Sequence, residues 1–306
     1  RGQSPTSGGG VFGSEGVKVV EGCRVIDWHG AFDGASLQAF KQCVVNLNNF
    51  ERQRATKNIQ AVRMIKLSVD RAVSSLKKDK AARKSVQRKL LRYRDELGKI
   101  ETELEGTLNG KYPKRLLMMN SPGGYVHTLT GLLPYLQKNV DIYGGQMIAS
   151  AGGVAFVSGK GERIMPESGG QMGIHSVQAG ASGGVTDVAH ALREMKKTNR
   201  FLEKQYVKGS NGKLKPTQFR EWLTESGQSP AGMKWLSGRQ AMRYGLCDGL
   251  CRNPNKLMDS YRPQEIAPFL GEVKVFFQAN DLNSFWPQSS HHGRDHRPPP
   301  AAGSPQ

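Results

Sequence analysis

The apolar positions fall into two regimes along the chain. Between residues 36 and 104 they recur at helical spacing. Leu37, Phe40, Val44 and Leu47 share one face, which predicts a helix over 36–47. Val62, Ile65, Val69, Ala72 and Leu76, and later Val86, Leu90, Tyr93, Leu97, Ile100 and Leu104, keep a heptad-like spacing. The same count puts Asp79 and Arg83 where apolar residues belong, so the stripe breaks near 77–83. This predicts an inserted antiparallel helical hairpin over 51–110, closed by Asn109-Gly110 and Pro113, with arms of about 20 residues and about 30 Å.

From Lys114 onward short apolar runs alternate with amphipathic ones. Strands are predicted at 115–119, 140–143, 163–165 and 172–175, and helices at 125–137, 150–158, 186–207, 216–224 and 238–244. Strands feeding helices at this spacing predict an α/β fold with parallel pairing. Val17–Ile26 reads as one more strand and Val273–Phe277 as a last one. Residues 1–16 and 286–306 lack core formers and are expected to be unstructured tails. The domain expectation is therefore 17–50 and 111–285 as one core, interrupted by the hairpin.

Charge sharpens this picture. The net charge is +18 over 306 residues. Residues 51–100 hold 16 Lys and Arg against 5 Asp and Glu, so most of the basicity belongs to the hairpin. Nucleic-acid contact through residues 52–99 is one reading; a solvated charged coiled-coil surface is the other. The single aromatic there, Tyr93, argues against stacking on single strands. Cys23, Cys43, Cys247 and Cys251 lack zinc-site spacing and read as reduced thiols of a cytoplasmic protein. No stretch approaches the roughly 20 apolar residues of a membrane span. The chain begins at Arg1 rather than Met, as a fragment lacking a targeting segment would.

Candidate chemistry gathers at three places. Ser150 lies in Ala149-Ser150-Ala151-Gly152-Gly153, between two apolar runs, where small neighbours let a substrate backbone approach a nucleophile. Asn120-Ser121-Pro122-Gly123-Gly124 follows a strand and precedes a helix, so its amides can face negative charge. His175 ends the apolar run Gly173-Ile174-His175, as a base at a strand end would. His127 and His190 fall in predicted helices and read as surface residues.

These motifs, in this order and spacing, resemble the proteolytic subunit of the Clp protease, ClpP. Gly183-Gly184-Val185-Thr186-Asp187, opening a long helix, is similar to the start of that family's handle helix. Trp235-Leu236-Ser237 and Tyr244-Gly245-Leu246-Cys247-Asp248 are similar to its closing motif. The resemblance covers about 114–250, with a weaker fit over 17–48. It implies a ClpP/crotonase-like superhelix of β-β-α repeats and a serine endopeptidase without cofactor or metal. It further implies Ser150 as nucleophile, His175 as general base, and the amides of Gly124 and Ala151 as oxyanion hole. Peptide or protein substrates and a homo-oligomeric ring are implied too, with the helix 186–207 as the contact element.

Three departures qualify the resemblance. Met233 stands where the family has its acid, so Glu225, Asp187, a backbone carbonyl or nothing at all orients His175. A slow Ser-His dyad, or an inactive assembly or scaffold subunit, is the corresponding expectation. The helical hairpin is foreign to the usual member and reads as a docking arm. The axial loop of a subunit that meets an ATPase is not found, which leaves an ATP-driven role in doubt. The pattern is closer to divergent members such as phage head-maturation proteases.

Overall fold

A computed structural model describes residues 16–76, 84–178, 182–228 and 232–287. In chain order the elements are β1 (Gly16–Val19), β2 (Val25–His29), α1 (Gly34–Leu76), α2 (Lys84–Leu108), β3 (Arg115–Ser121), α3 (Val126–Leu132) and β4 (Val140–Ala149). Next come α4 (Ala151–Ser158), β5 (Arg163–Pro166), β6 (Gln171–Ile174), α5 (Val185–Gly209) and α6 (Pro216–Gln228). The chain continues with β7 (Lys234–Ser237), α7 (Gly238–Arg243), β8 (Gly249–Cys251), α8 (Pro254–Asp259) and α9 (Ile266–Ala279). They form two compact units: residues 1–54 with 106–264, and residues 55–105 with 265–306.

The first unit is α/β, as the sequence leads one to expect. Its sheet runs β1-β2-β3-β4-β5-β8, and β6 joins through β4 and carries β7. Every pairing is parallel except β1–β2 and β6–β7. Strand β4 serves two neighbours. Ile142 and Tyr143 pair with β5, whereas Met147 to Ala149 pair with β6. The switch happens where the β3–β4 register shifts, from Met119↔Gly144 to Ser121↔Ile148. Asn120 closes that irregularity by accepting the Met147 N–H on Oδ1 at 3.0 Å. An irregularity of this kind bends the strand and re-aims its C-terminal end. Strand β4 ends at Ala149, so the residue re-aimed is Ser150. The core between sheet and helices holds Trp28, Phe32, Phe40, Leu117, Ile142, Phe156, Tyr206 and Phe219.

Arg163 is a buried cation of this unit, 4% exposed. Its Nε and Nη2 donate to Asp248 at 2.8 and 2.7 Å, and Nη1 donates to the carbonyls of Val157 and Gly209. A buried guanidinium is tolerated because each donor finds an acceptor.

The second unit is helical. Val62, Ile65, Val69, Ala72 and Leu76 of α1 are buried, as are Leu90, Tyr93, Leu97, Ile100 and Leu104 of α2. The heptad stripe therefore is the packing seam. The helices run antiparallel: Arg63 reaches Glu101 and Glu105, at 3.1 and 2.6 Å, and Lys66 reaches Glu101 at 2.6 Å. The predicted turn at 77–83 lies outside the described residues.

Several expectations need correction. Helix α1 runs unbroken from Gly34 to Leu76, about 65 Å, instead of ending at 47 before a separate hairpin arm. The stripe continues through Leu47, Glu51, Ala55 and Ile59, all buried. Glu51 hid that continuity. It is 1% exposed, and Arg24 satisfies it at 2.7 Å. Val17–Ile26 is two antiparallel strands, because Gly22 turns the chain at φ +69°. Residues 273–277 are helical. Ile266, Phe269, Val273 and Phe277 keep a helical period, and α9 packs Phe269 and Phe276 on Tyr93. Residues 266–279 thus join the helical unit rather than a core ending at 285. The proposed tails at 1–16 and 286–306 lie mostly outside the described residues, although Trp286 packs on Phe277 at 5.3 Å.

Candidate active site

Ser150 stands between β4 and α4, at the N-cap of a helix whose residues Ala151 to Val157 are all buried. Its backbone is left-handed, φ +53° and ψ −126°. A non-glycine residue there stores roughly 1–3 kcal/mol, held only because its surroundings over-determine it. The determinants are visible. The Ser150 N–H donates to the Gly173 carbonyl at 2.9 Å, its own carbonyl accepts from Val154, and the apolar helix fixes the outgoing chain. A sharp strand-to-helix turn of this form pushes a serine hydroxyl outward. Among the described residues that hydroxyl makes no hydrogen bond.

The glycine loop presses on the same turn. A Cβ on Gly123 would overlap the Ser150 Cβ and lie 3.0 Å from its Oγ. Gly123 and Gly124 both have positive φ, +106° and +148°. Phe32 pins them: its N–H donates to the Gly123 carbonyl at 2.7 Å, and its carbonyl accepts from Tyr125 at 2.8 Å. These bonds leave the Gly124 amide out of the ladder. The Ala151 amide heads α4, where no earlier carbonyl of the helix can reach it. Two uncommitted donors thus flank the Ser150 turn among the described residues.

His175 comes directly after β6. Because Ala149 pairs with Gly173 across parallel strands, Ser150 and His175 leave the same sheet edge on adjacent strands. Neighbouring strands lie about 4.8 Å apart. The His175 Nδ1 contacts the Ser176 carbonyl oxygen at 2.6 Å. A carbonyl can only accept, so Nδ1 carries a proton, and in the neutral ring Nε2 is then the nitrogen with the lone pair.

The two carboxylates considered as partners are engaged elsewhere. Asp187 Oδ2 accepts the Gly184 N–H at 2.9 Å and caps α5. Glu225 forms an ion pair with Lys234. Met233 continues the β6–β7 register beyond the Ile174↔Lys234 pair, and its sulfur lies against Gly173. His127 and His190 are exposed helix residues. His29 sits 3.0 Å from Asp27, whose pKa burial raises even though the charges of His29 and Lys18 oppose it.

A cleft of about 710 Å³, lined by Gln137, Ser158, Lys160, Gln205 and Lys208 among others, includes neither Ser150 nor His175. Among the described residues, no cluster of three His, Cys, Asp or Glu could hold a metal, and no helix is long and apolar enough to cross a membrane.

Residues 109–254 match the family model described as Clp protease. Over that span the chain is similar to the Clp protease family. The mostly parallel sheet with its helical hairpin fits a ClpP-like fold. Phe32, the clamp on the glycine loop, precedes the matched span, and no sequence signal marked it. The same holds for the Ser176 carbonyl, because main-chain acceptors leave no trace in residue type.

Proposed function

We propose that this protein is a serine endopeptidase that works through Ser150 and His175 without a third acid. The observation that carries this reading is the left-handed turn at Ser150, flanked by the uncommitted amides of Gly124 and Ala151. Ser150 Oγ attacks a peptide carbonyl while His175 Nε2 takes the hydroxyl proton. The carbonyl oxygen, now negative, accepts from the two amides. His175 returns the proton to the departing amine, leaving an ester on Ser150. Water attacks that ester, giving a proton to His175, which passes it to Ser150 Oγ as the ester bond breaks and the acid product leaves.

The Ser176 carbonyl sets the His175 tautomer, which is half of an acid's task. It brings no full negative charge to stabilise the imidazolium. Replacing the acid of such a triad by a neutral group that leaves the wrong tautomer costs about 10⁴ in rate. Here the tautomer is right, so a slow enzyme with a smaller deficit is expected. Met233 at the position of the family's acid favours a second reading, an inactive assembly subunit.

Protein substrates and a homo-oligomeric ring accord with the family. Val185, Val188 and Leu192 form an exposed apolar stripe on α5, which supports that helix as a contact between copies. Many hairpin cations are paired, Arg63, Lys66, Lys89 and Lys99 among them, which supports a charged helical surface over a phosphate track.

The test is covalent labelling by a fluorophosphonate. Ser150 is labelled in the native chain, and labelling is lost in both Ser150→Ala and His175→Ala. Labelling that survives in Ser150→Ala, or none in the native chain, rejects the peptidase reading.

A further inference from the structure

The first turn of α4 has no side chains to hold it in place. Ala151, Gly152 and Gly153 carry one methyl group among them, and their main chain rests directly on other elements. Gly152 lies on Ser121, where a Cβ would meet the Ser121 carbonyl oxygen at 3.2 Å. Gly153 lies on Tyr206 of α5, where a Cβ would overlap the phenol oxygen. The same Cβ would be 3.6 Å from the carbonyl oxygen of Gly173. That carbonyl is the one holding the Ser150 N–H. The Tyr206 hydroxyl therefore sits directly behind the nucleophile turn.

This hydroxyl is unusual. Tyr206 is 1% exposed, and its oxygen has no hydrogen-bond partner among the described residues. Its ring is fixed by stacking on Phe219, with centroids 5.0 Å apart. A buried hydroxyl without a partner costs stability that phenylalanine would not. Packing therefore gives no reason for the oxygen, beyond the contact it makes.

We propose that Tyr206 is a positioning residue for the nucleophile: its hydroxyl wedges α4 from behind and keeps the Ser150 turn in its left-handed form. Removing the oxygen leaves a gap about one atom deep under Gly153. The first turn of α4 settles toward α5, and the strained backbone at 150 relaxes. The oxyanion donor Ala151 moves with it. Because Tyr206 belongs to α5, the helix with the exposed apolar stripe, the same wedge joins that surface to the site. This inference rests on the serine peptidase reading.

The experiment combines two substitutions that exchange one atom for another. Tyr206→Phe keeps or raises the melting temperature, while fluorophosphonate labelling of Ser150 slows about tenfold, in kinact rather than KI. Gly153→Ala drives a methyl into the hydroxyl, so labelling and melting temperature both fall. In Tyr206→Phe with Gly153→Ala the methyl takes the place of the lost oxygen, and labelling recovers above either single variant. A Tyr206→Phe protein that labels at the native rate overturns the proposal. So does a double variant no better than the product of the singles. If the native chain is not labelled at all, the peptidase reading fails separately. Crystal structures of the native chain and Tyr206→Phe then decide: a shifted α4 and a relaxed φ at 150 support the wedge, and an unmoved turn overturns it.

Discussion

The Met233 sulfur lies against Gly173, one step past the Ile174↔Lys234 pair that ends the β6–β7 ladder. A thioether is at best a weak acceptor. A carboxylate at that position would face the imidazole and stabilise its protonated form. Met233→Asp should therefore raise the peptide or ester hydrolysis rate by about tenfold or more, below the roughly 10⁴ ceiling for an orienting acid. The acid limb of the pH–rate profile should move up as well, because an adjacent negative charge raises the imidazole pKa. An unchanged rate with unchanged fold would mean that the Ser176 carbonyl already does the acid's work.

Gly123→Ala should silence the site without unfolding the protein. The backbone there has φ +106°, and the new methyl would overlap the Ser150 Cβ. The loop must withdraw, taking the Gly124 amide away from the developing oxyanion. Loss of one such donor costs about 10²–10³ in kcat. Steady-state hydrolysis beside a circular-dichroism melt separates this from simple unfolding.

Legibility in the sequence tracked the length and purity of each pattern. The runs at 115–119 and 140–143 are apolar enough to be read as strands, and the hairpin seam repeats often enough to be counted. Lys234–Ser237 and Gly249–Cys251 escaped because strands of four and three residues with polar members carry no period. Val273-Lys274-Val275-Phe276-Phe277 misled because β-branched alternation over five residues looks like a strand. Only the wider window from Ile266 shows the helical face. Ser150, His175 and the glycines stood out as candidates through their motifs. The contacts of Phe32, Ser176 and Tyr206 around them could not, since these are made of main-chain atoms or join residues far apart in sequence.

Asp248 gives a pH test of the fold. Burial pushes its pKa up, but the hydrogen bonds and charge of Arg163 outweigh burial and hold it below its ordinary 3.8. An acid with a depressed folded pKa adds stability above its unfolded pKa and loses it as pH falls through the folded one. Melting temperature should thus drop as pH falls below about 3.8 in the native chain. In Asp248→Asn the protein should be less stable at neutral pH, and that acid limb should flatten.

In the helical unit, burial outweighs charge. Leu97 is fully buried in the seam, so Leu97→Ala should cost about 2–5 kcal/mol. Glu101→Gln removes the pairings with Arg63 and Lys66, yet partly exposed ion pairs contribute about 0–1 kcal/mol. Hydrogen exchange along α2 should show the first change strongly and the second weakly. The reverse order would mean that electrostatics, rather than the apolar stripe, holds the two helices together.

The clip formed by Phe32 reaches beyond geometry. Residues 109–254 hold every side chain assigned to the reaction, but the main-chain bonds that keep the glycine loop against Ser150 come from a residue encoded far upstream. A recombinant piece trimmed to the matched span would carry nucleophile and base yet lack this fastening. Catalytic competence during synthesis then has to wait until the early strand has met the late one, with the whole helical excursion already made between them.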